Sequence, residues 1–123
     1  MMNMNEFEIR VGLIKGRHEM PVYNYIFDEP IEDVTDYHKI EEHILKFVKT
    51  EVGVHTTHFG TAVNAVTAED AHVWAGDKRL TVYVTGLTAV TAALIRVCLM
   101  YGVNLTLMHY DITCGLYKPQ VIW

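Results

Sequence analysis

Cysteine is scarce in this chain of 123 residues, with Cys98 and Cys114 the only two. Neither belongs to a Cys-x-x-Cys pair or lies near a second thiol, which excludes a thiolate zinc site, and a disulfide framework is not expected in a reducing compartment. Basic residues are also in deficit: 10 Lys and Arg stand against 15 Asp and Glu, a formal net charge of -5. A sequence-independent grip on long DNA or RNA needs a basic face that neutralises many phosphates, so that class is set aside. A small anion is not set aside, because one or two phosphates need only a nest of backbone N–H groups and a few cationic side chains. Long apolar runs are missing too. Half the residues are hydrophobic, yet unbroken stretches last only a few residues, far from the roughly 18 that suggest a bilayer span. Met1 to Glu8 shows no cationic start, apolar segment or small-residue cleavage site, so no membrane association is expected and the expected location is the cytoplasm. No GxSxG, HExxH, P-loop or complete GxGxxG is present, which removes the usual warrant for hydrolase, zincin, NTPase and dinucleotide-dehydrogenase chemistry.

What remains is a chain of one-domain length, residues 1–123, with one expected core. Phe7 to Ile14, the polar turn Lys15-Gly16-Arg17-His18-Glu19, and Val22 to Phe27 read as a β-hairpin, with β-branched and aromatic arms about a glycine. From Asp33 the period changes. Val34, Tyr37, Ile40, Ile44, Phe47 and Val48 recur at three- and four-residue steps with charges between them, which predicts an amphipathic helix, with Gly53 as its stop signal. Val54 to Gly76 reads as a loop carrying His55 and His58, followed by one short helix.

The C-terminal unit is more strongly patterned. Leu80 to Val84 is a continuous apolar strand suited to a central position. Thr85-Gly86-Leu87-Thr88 turns the chain, Gly86 easing the bend and Thr88 capping with its hydroxyl. Ala89 to Tyr101 is a helix ended by Gly102, Val103 to Tyr110 a second strand, and Asp111 to Gly115 a turn into Leu116 to Ile122. Two strands joined by a crossover helix should be parallel, and the last should run antiparallel at the edge. The fold class expected is a single-domain mixed α/β sheet with an N-terminal hairpin, amphipathic helices and a strand-helix-strand-hairpin unit of Rossmann-like character.

In an open sheet of this kind ligands lie beyond the carboxyl ends of parallel strands. That places Thr85, Gly86, Leu87 and Thr88, at a helix N-terminus suited to phosphate, next to His109, Tyr110 and Asp111. Turn chemistry alone would produce the same Gly and Thr residues. Strand alternation points His109 and Asp111 to one side, where they suit a divalent metal or a general base with its orienter; a surface His and a turn-forming Asp explain them as well. Lys15-Gly16-Arg17-His18, the densest basic cluster, suits a clamp by Arg17 and His18 on an anion from a neighbouring subunit or a simply solvated tip, and Tyr23 and Tyr25 share a strand face suited to stacking on a base or to a core or interface.

Leu80-Thr81-Val82-Tyr83-Val84-Thr85-Gly86-Leu87, then Leu105-Thr106-Leu107-Met108-His109-Tyr110-Asp111, Gly115 and Pro119-Gln120 together resemble the small Csx-type CRISPR-associated ring nucleases. The strand running out through Asp28-Glu29-Pro30-Ile31 is similar to that family's opening strand. The likeness covers about half the chain. It implies a fold related to CARF sensor domains and a cyclic oligoadenylate messenger of antiviral signalling, bound at an oligomer interface. It also implies linearisation aided by a divalent metal such as manganese, with Asp111 at the family's Tyr-Asp position. The family's helix histidine has no counterpart in Thr88 to Cys98, so sequestration, as by phage-encoded anti-defence sponges acting on cyclic nucleotides or cyclic ADP-ribose, is the alternative to cleavage. A non-enzymatic adaptor is the third class. Tyr23, Tyr25, Phe27 and Trp123 supply apolar surface for an expected homo-oligomer.

Overall fold

The computed structural model describes residues 8–52 and 79–123; the loop and short helix expected between Val54 and Gly76, with His55 and His58, lie outside the described residues. Five strands form one sheet: β1 (Glu8–Ile14), β2 (Tyr25–Phe27), β3 (Arg79–Tyr83), β4 (Asn104–Asp111) and β5 (Leu116–Val121), in the spatial order β2-β1-β3-β4-β5. Helix α1 (Tyr37–Glu51) follows β2, and α2 (Thr88–Met100) links β3 to β4. The first four strands run parallel to one another and β5 is antiparallel to β4.

The C-terminal half therefore follows its sequence pattern, but the N-terminal hairpin does not form. β1 and β2 pair in parallel, Gly12 with Tyr25 and Ile14 with Phe27. A parallel return usually needs a crossover of a dozen residues or more. Here β2 is only three residues long and pairs with the last three of β1, so the return covers roughly 10 Å at about 3.3 Å per residue. Residues 15–24 suffice without a helix. Gly16 takes φ 90°, the left-handed conformation that made this segment look like a hairpin turn.

The two faces of the sheet differ because side chains alternate along each strand. Val11 and Leu13 of β1, Leu80 and Val82 of β3, and Leu105 and Leu107 of β4 join Ile40, Ile44 and Val48 of α1 and Val90, Leu94 and Val97 of α2 in one buried cluster. Each fully buried aliphatic side chain contributes about 1.5–3 kcal/mol, and this layer carries most of the stability. The opposite row is polar. Thr81 Oγ1 donates to Glu8 Oε2 at 2.8 Å, Arg10 Nη1 donates to the Tyr83 hydroxyl at 2.8 Å, and Arg79 Nη1 donates to Thr106 Oγ1 at 2.9 Å. The two buried threonines, Thr81 and Thr106, are thereby satisfied.

Asp36 caps α1 by accepting from the Lys39 amide at 3.2 Å. The cap of α2 corrects the sequence reading: Leu87 holds the N-cap position, no side chain caps it, and Thr88 is the first helical residue. Gly102 (φ 71°) ends α2 and Gly115 (φ 72°) closes the β4–β5 turn. In that hairpin the Ile122 amide donates to the Leu105 carbonyl at 2.8 Å. Backbone polarity alternates along a strand, so Pro119, opposite Met108, directs its donorless nitrogen to the open edge. Among the described residues no helix is long and apolar enough to cross a membrane.

Candidate functional site

Because β1 leads outward to β2 and the chain then returns past β1 to β3, the strand order reverses between β1 and β3. That is the position at which open α/β sheets form a ligand crevice. The parallel pairing of β2 brings Lys15, Gly16 and Arg17 to the carboxyl end of β1, not to the tip of a hairpin. There they line a recess of about 510 Å³ with Ile14, Pro30, Ile31, Val34 and Leu87, the last from the β3–α2 turn. Among the described residues two cations and no carboxylate line it. Neither Lys15 nor Arg17 has an acidic partner among the described residues. His18 is exposed and does not line this recess.

The sequence reading centred the crevice one strand further along, between β3 and β4. A smaller recess of about 290 Å³ does bring Thr85, Gly86, Thr88 and His109 together. Its hydroxyls are partly spent: Thr85 Oγ1 accepts from the Leu87 amide at 3.3 Å, and Thr91 Oγ1 donates to the Leu87 carbonyl at 3.2 Å. Gly86 lies outside the left-handed region, and a Cβ there would meet nothing within 4 Å. Its small size opens the turn to an approaching group and is not demanded by the backbone.

His109 Nε2 lies 2.7 Å from Gln120 Oε1. Asp111 accepts from both the amide and the hydroxyl of Thr113 and forms an ion pair with Lys118 Nζ at 2.9 Å. The Thr113 hydroxyl, then Lys118 and the Thr113 amide, hold its carboxyl down to about 2, so it is ionised and too weakly basic to accept a proton near neutrality. Tyr110 turns to the other face and packs edge-on against Tyr117, ring centroids 5.3 Å apart, away from the Thr85–Thr88 turn. A divalent metal does not fit this pair: the Lys118 ammonium occupies the place of a cation beside Asp111. No group of three or more His, Cys, Asp or Glu among the described residues is arranged to hold a metal ion.

A third recess, about 400 Å³, shares Pro30 and Ile31 with the first. Phe27, Ile31, Ile40 and His43 form its less polar walls, and Asp28, Glu29, Glu32, Asp33 and Asp36 its rim. The His43 ring stacks on Phe27 at 4.2 Å and its Nε2 meets the Ile26 carbonyl at 2.7 Å. A carbonyl only accepts, so Nε2 carries the proton in that bond. Phe27 is thus a core residue, 6% exposed, and not part of an apolar surface patch; Tyr23 is 99% exposed, while Tyr25 covers Gly12.

Sequence reasoning singled out Lys15 and Arg17 as one basic cluster but placed it at a hairpin tip, and it missed Pro30, Ile31 and Val34 as lining residues. The available signal was the brevity of the apolar run before Asp28, which suits a short outer strand returning in parallel as well as a hairpin arm. Comparison with family models, curated proteins and solved structures yields no match, so the site is read from its own geometry.

Proposed function

We propose that the protein binds a small phosphate-bearing nucleotide of the cyclic signalling kind at the β1/β3 crevice and holds it without chemistry. One observation carries the reading: parallel pairing of β1 and β2 sets Lys15 and Arg17, free of carboxylate partners, across one recess from Leu87 at the entry to α2. Two cations and the positive end of a helix are matched to one or two phosphates. Sequestration is favoured over degradation because His109 and Asp111, the two residues the sequence offered for acid–base work, are engaged with Gln120, Thr113 and Lys118. The reading includes at least a dimer. Ile112 and Leu116, close together at the turn of the β4–β5 hairpin, are 84% and 62% exposed, apolar surface suited to a second copy.

The test is to incubate the protein with cyclic oligonucleotides and cyclic ADP-ribose isomers, with and without manganese, and to analyse the mixture before and after heat denaturation. Intact ligand released only by denaturation is expected. A linear product would establish cleavage instead, and no retention of any ligand would leave the adaptor class. Arg17→Ala, at an exposed residue that lines the recess, should leave the melting temperature within about 2 °C of the parent, since surface changes usually stay within about 0.5 kcal/mol, while weakening ligand retention.

A further inference from the structure

β2 meets β1 only at Gly12 and Ile14, whereas β3 accompanies the other side of β1 from Glu8 to Gly12. The stretch from Glu8 to Val11 therefore has a strand on one side only. Backbone polarity fixes what it presents on the other side. The Gly12 amide turns outward to the Asn24 carbonyl at 2.9 Å, so alternation turns the amide and carbonyl of Arg10 and of Glu8 the same way. Among the described residues these backbone groups have no partner. They open onto a fourth recess, about 670 Å³, with Asn24 at the start of β2 on one side and Lys46, Phe47 and Thr50 of α1 on another. Ile9 and Phe47, which pack on the core only in part, give it an apolar wall. It shares no residue with the Lys15–Arg17 recess.

We infer that this gap is a docking slot for a short extended segment of another polypeptide, which joins the sheet as a strand beside the first half of β1. Donor and acceptor pairs repeated every second residue, about 6.6 Å apart, match an extended backbone and no compact ligand. The open stretch from Glu8 to Val11 is roughly 13 Å long, so the segment needs only about four or five residues. Its side chains alternate as those of β1 do. Those level with Ile9 and Val11 face α1 and are apolar, resting on Ile9 and Phe47. Those level with Arg10 face the polar side of the sheet, where Arg10 Nε and Glu8 Oε1 already pair at 3.0 Å, and are uncharged and polar. A folded second copy is a poor occupant. Its β5 edge is interrupted by Pro119, its β2 has three residues, and its own Glu8–Val11 edge would carry a second α1 into the space that Lys46, Phe47 and Thr50 already line.

The experiment combines amide hydrogen exchange of the whole chain with NMR titration by the capped peptide acetyl-Lys-Val-Thr-Val-Thr-Lys-amide. In the free protein the Glu8 and Arg10 amides should exchange at least about tenfold faster than those of Ile9 and Val11, and bound peptide should slow them by a similar factor. Two further peptides carry methyl groups on the valine or on the threonine backbone nitrogens, which blocks one edge of the strand in each. One of the two should bind at least about tenfold more weakly and the other within about threefold of the parent peptide, since only one edge faces β1. Arg10→Pro, which removes an amide at an edge position that tolerates proline, should abolish binding, while Arg10→Ala should bind within about threefold of the parent chain, because it keeps the amide. Equal protection of all four amides in the free protein, no binding at about 1 mM peptide, methylation effects that do not depend on the edge, or binding retained by Arg10→Pro would each overturn the proposal. Protection of Glu8 and Arg10 that rises with protein concentration would give the edge to a second copy and overturn it as well. Should circular dichroism show Arg10→Pro unfolded, the methylated peptides decide alone.

Discussion

Gly12 offers a test in which the sign of the effect decides. A Cβ built there would come within 2.5 Å of Tyr25 Cδ2 and Cε2 and 2.8 Å of Met20 Sδ, where carbon atoms in contact normally stand about 3.5–4.0 Å apart. Its φ lies outside the left-handed region, so alanine meets no backbone penalty. In the absence of the ring, Gly12→Ala in a strand interior would stabilise by roughly 0.5–1 kcal/mol, because alanine loses less chain entropy on folding. With the ring present, Tyr25 must swing away or β2 must lift from β1, and overpacking of this kind costs about 1–3 kcal/mol. The expected net result is destabilisation of about 1–2 kcal/mol. Unfolding entropy of about 2.1 cal/mol/K per residue gives roughly 0.26 kcal/mol/K for this chain, so the melting temperature should fall by about 4–8 °C. The assay is thermal and urea unfolding of Gly12→Ala, Tyr25→Ala and the double variant. In the Tyr25→Ala background, Gly12→Ala should become neutral or stabilising, a coupling of at least about 1 kcal/mol. If Gly12→Ala melts at or above the parent, or costs the same without the ring, the β1–β2 packing described above is wrong.

Three further outcomes follow from other parts of the molecule. The Asp111 carboxyl should titrate with a midpoint near 2 by carbon-detected NMR, moving up in Thr113→Val and Lys118→Ala; since its folded value is depressed, its contribution to stability is present above the ordinary carboxylate range and is lost as pH falls toward 2. A parent midpoint near 4 would contradict the turn geometry. Leu94→Ala, at a site with no exposure in the layer between α2 and the sheet, should cost about 2–5 kcal/mol in urea unfolding, and a loss below about 1 kcal/mol would place α2 elsewhere. Light scattering should return at least twice the 14.1 kDa chain mass; a value near the chain mass would refute the dimer.

The legible part of the fold was the part in which local pattern and partner choice are decided by the same residues. The apolar run Leu80 to Val84, the helical spacing of Val90, Leu94 and Val97, and Gly102 and Gly115 at the breaks together fix β3, α2, β4 and β5 within a residue or two of their observed bounds. Strand direction at the N-terminus was not legible. Lys15-Gly16-Arg17 forms a left-handed turn whether the next strand returns alongside β1 or starts again beside it, and only the long-range register of Gly12 with Tyr25 distinguishes the two. The site inherited that ambiguity. Thr85, Gly86, Thr88 and His109 were brought together as alternation and crossover predict, but the position where strand order reverses depends on where β2 lies. Arg17 was therefore identified as a basic residue without its place at the crevice. Thr88 shows a smaller failure of the same kind: a hydroxyl at a helix start suits a cap, yet the backbone gave that position to Leu87.

Pro119 has a consequence for how copies of this chain meet in a crowded solution. An exposed strand edge is a template on which other chains can grow, and runaway growth of that kind leads to fibrils. The outer edge of β5 would otherwise be a candidate, flanked by Leu116 and Val121. With no proton on the Pro119 nitrogen, an incoming strand finds the row of donors broken in its middle. Lateral growth is thereby blocked at the cost of a single residue type, and self-association is left to side chains, which can close a dimer and stop.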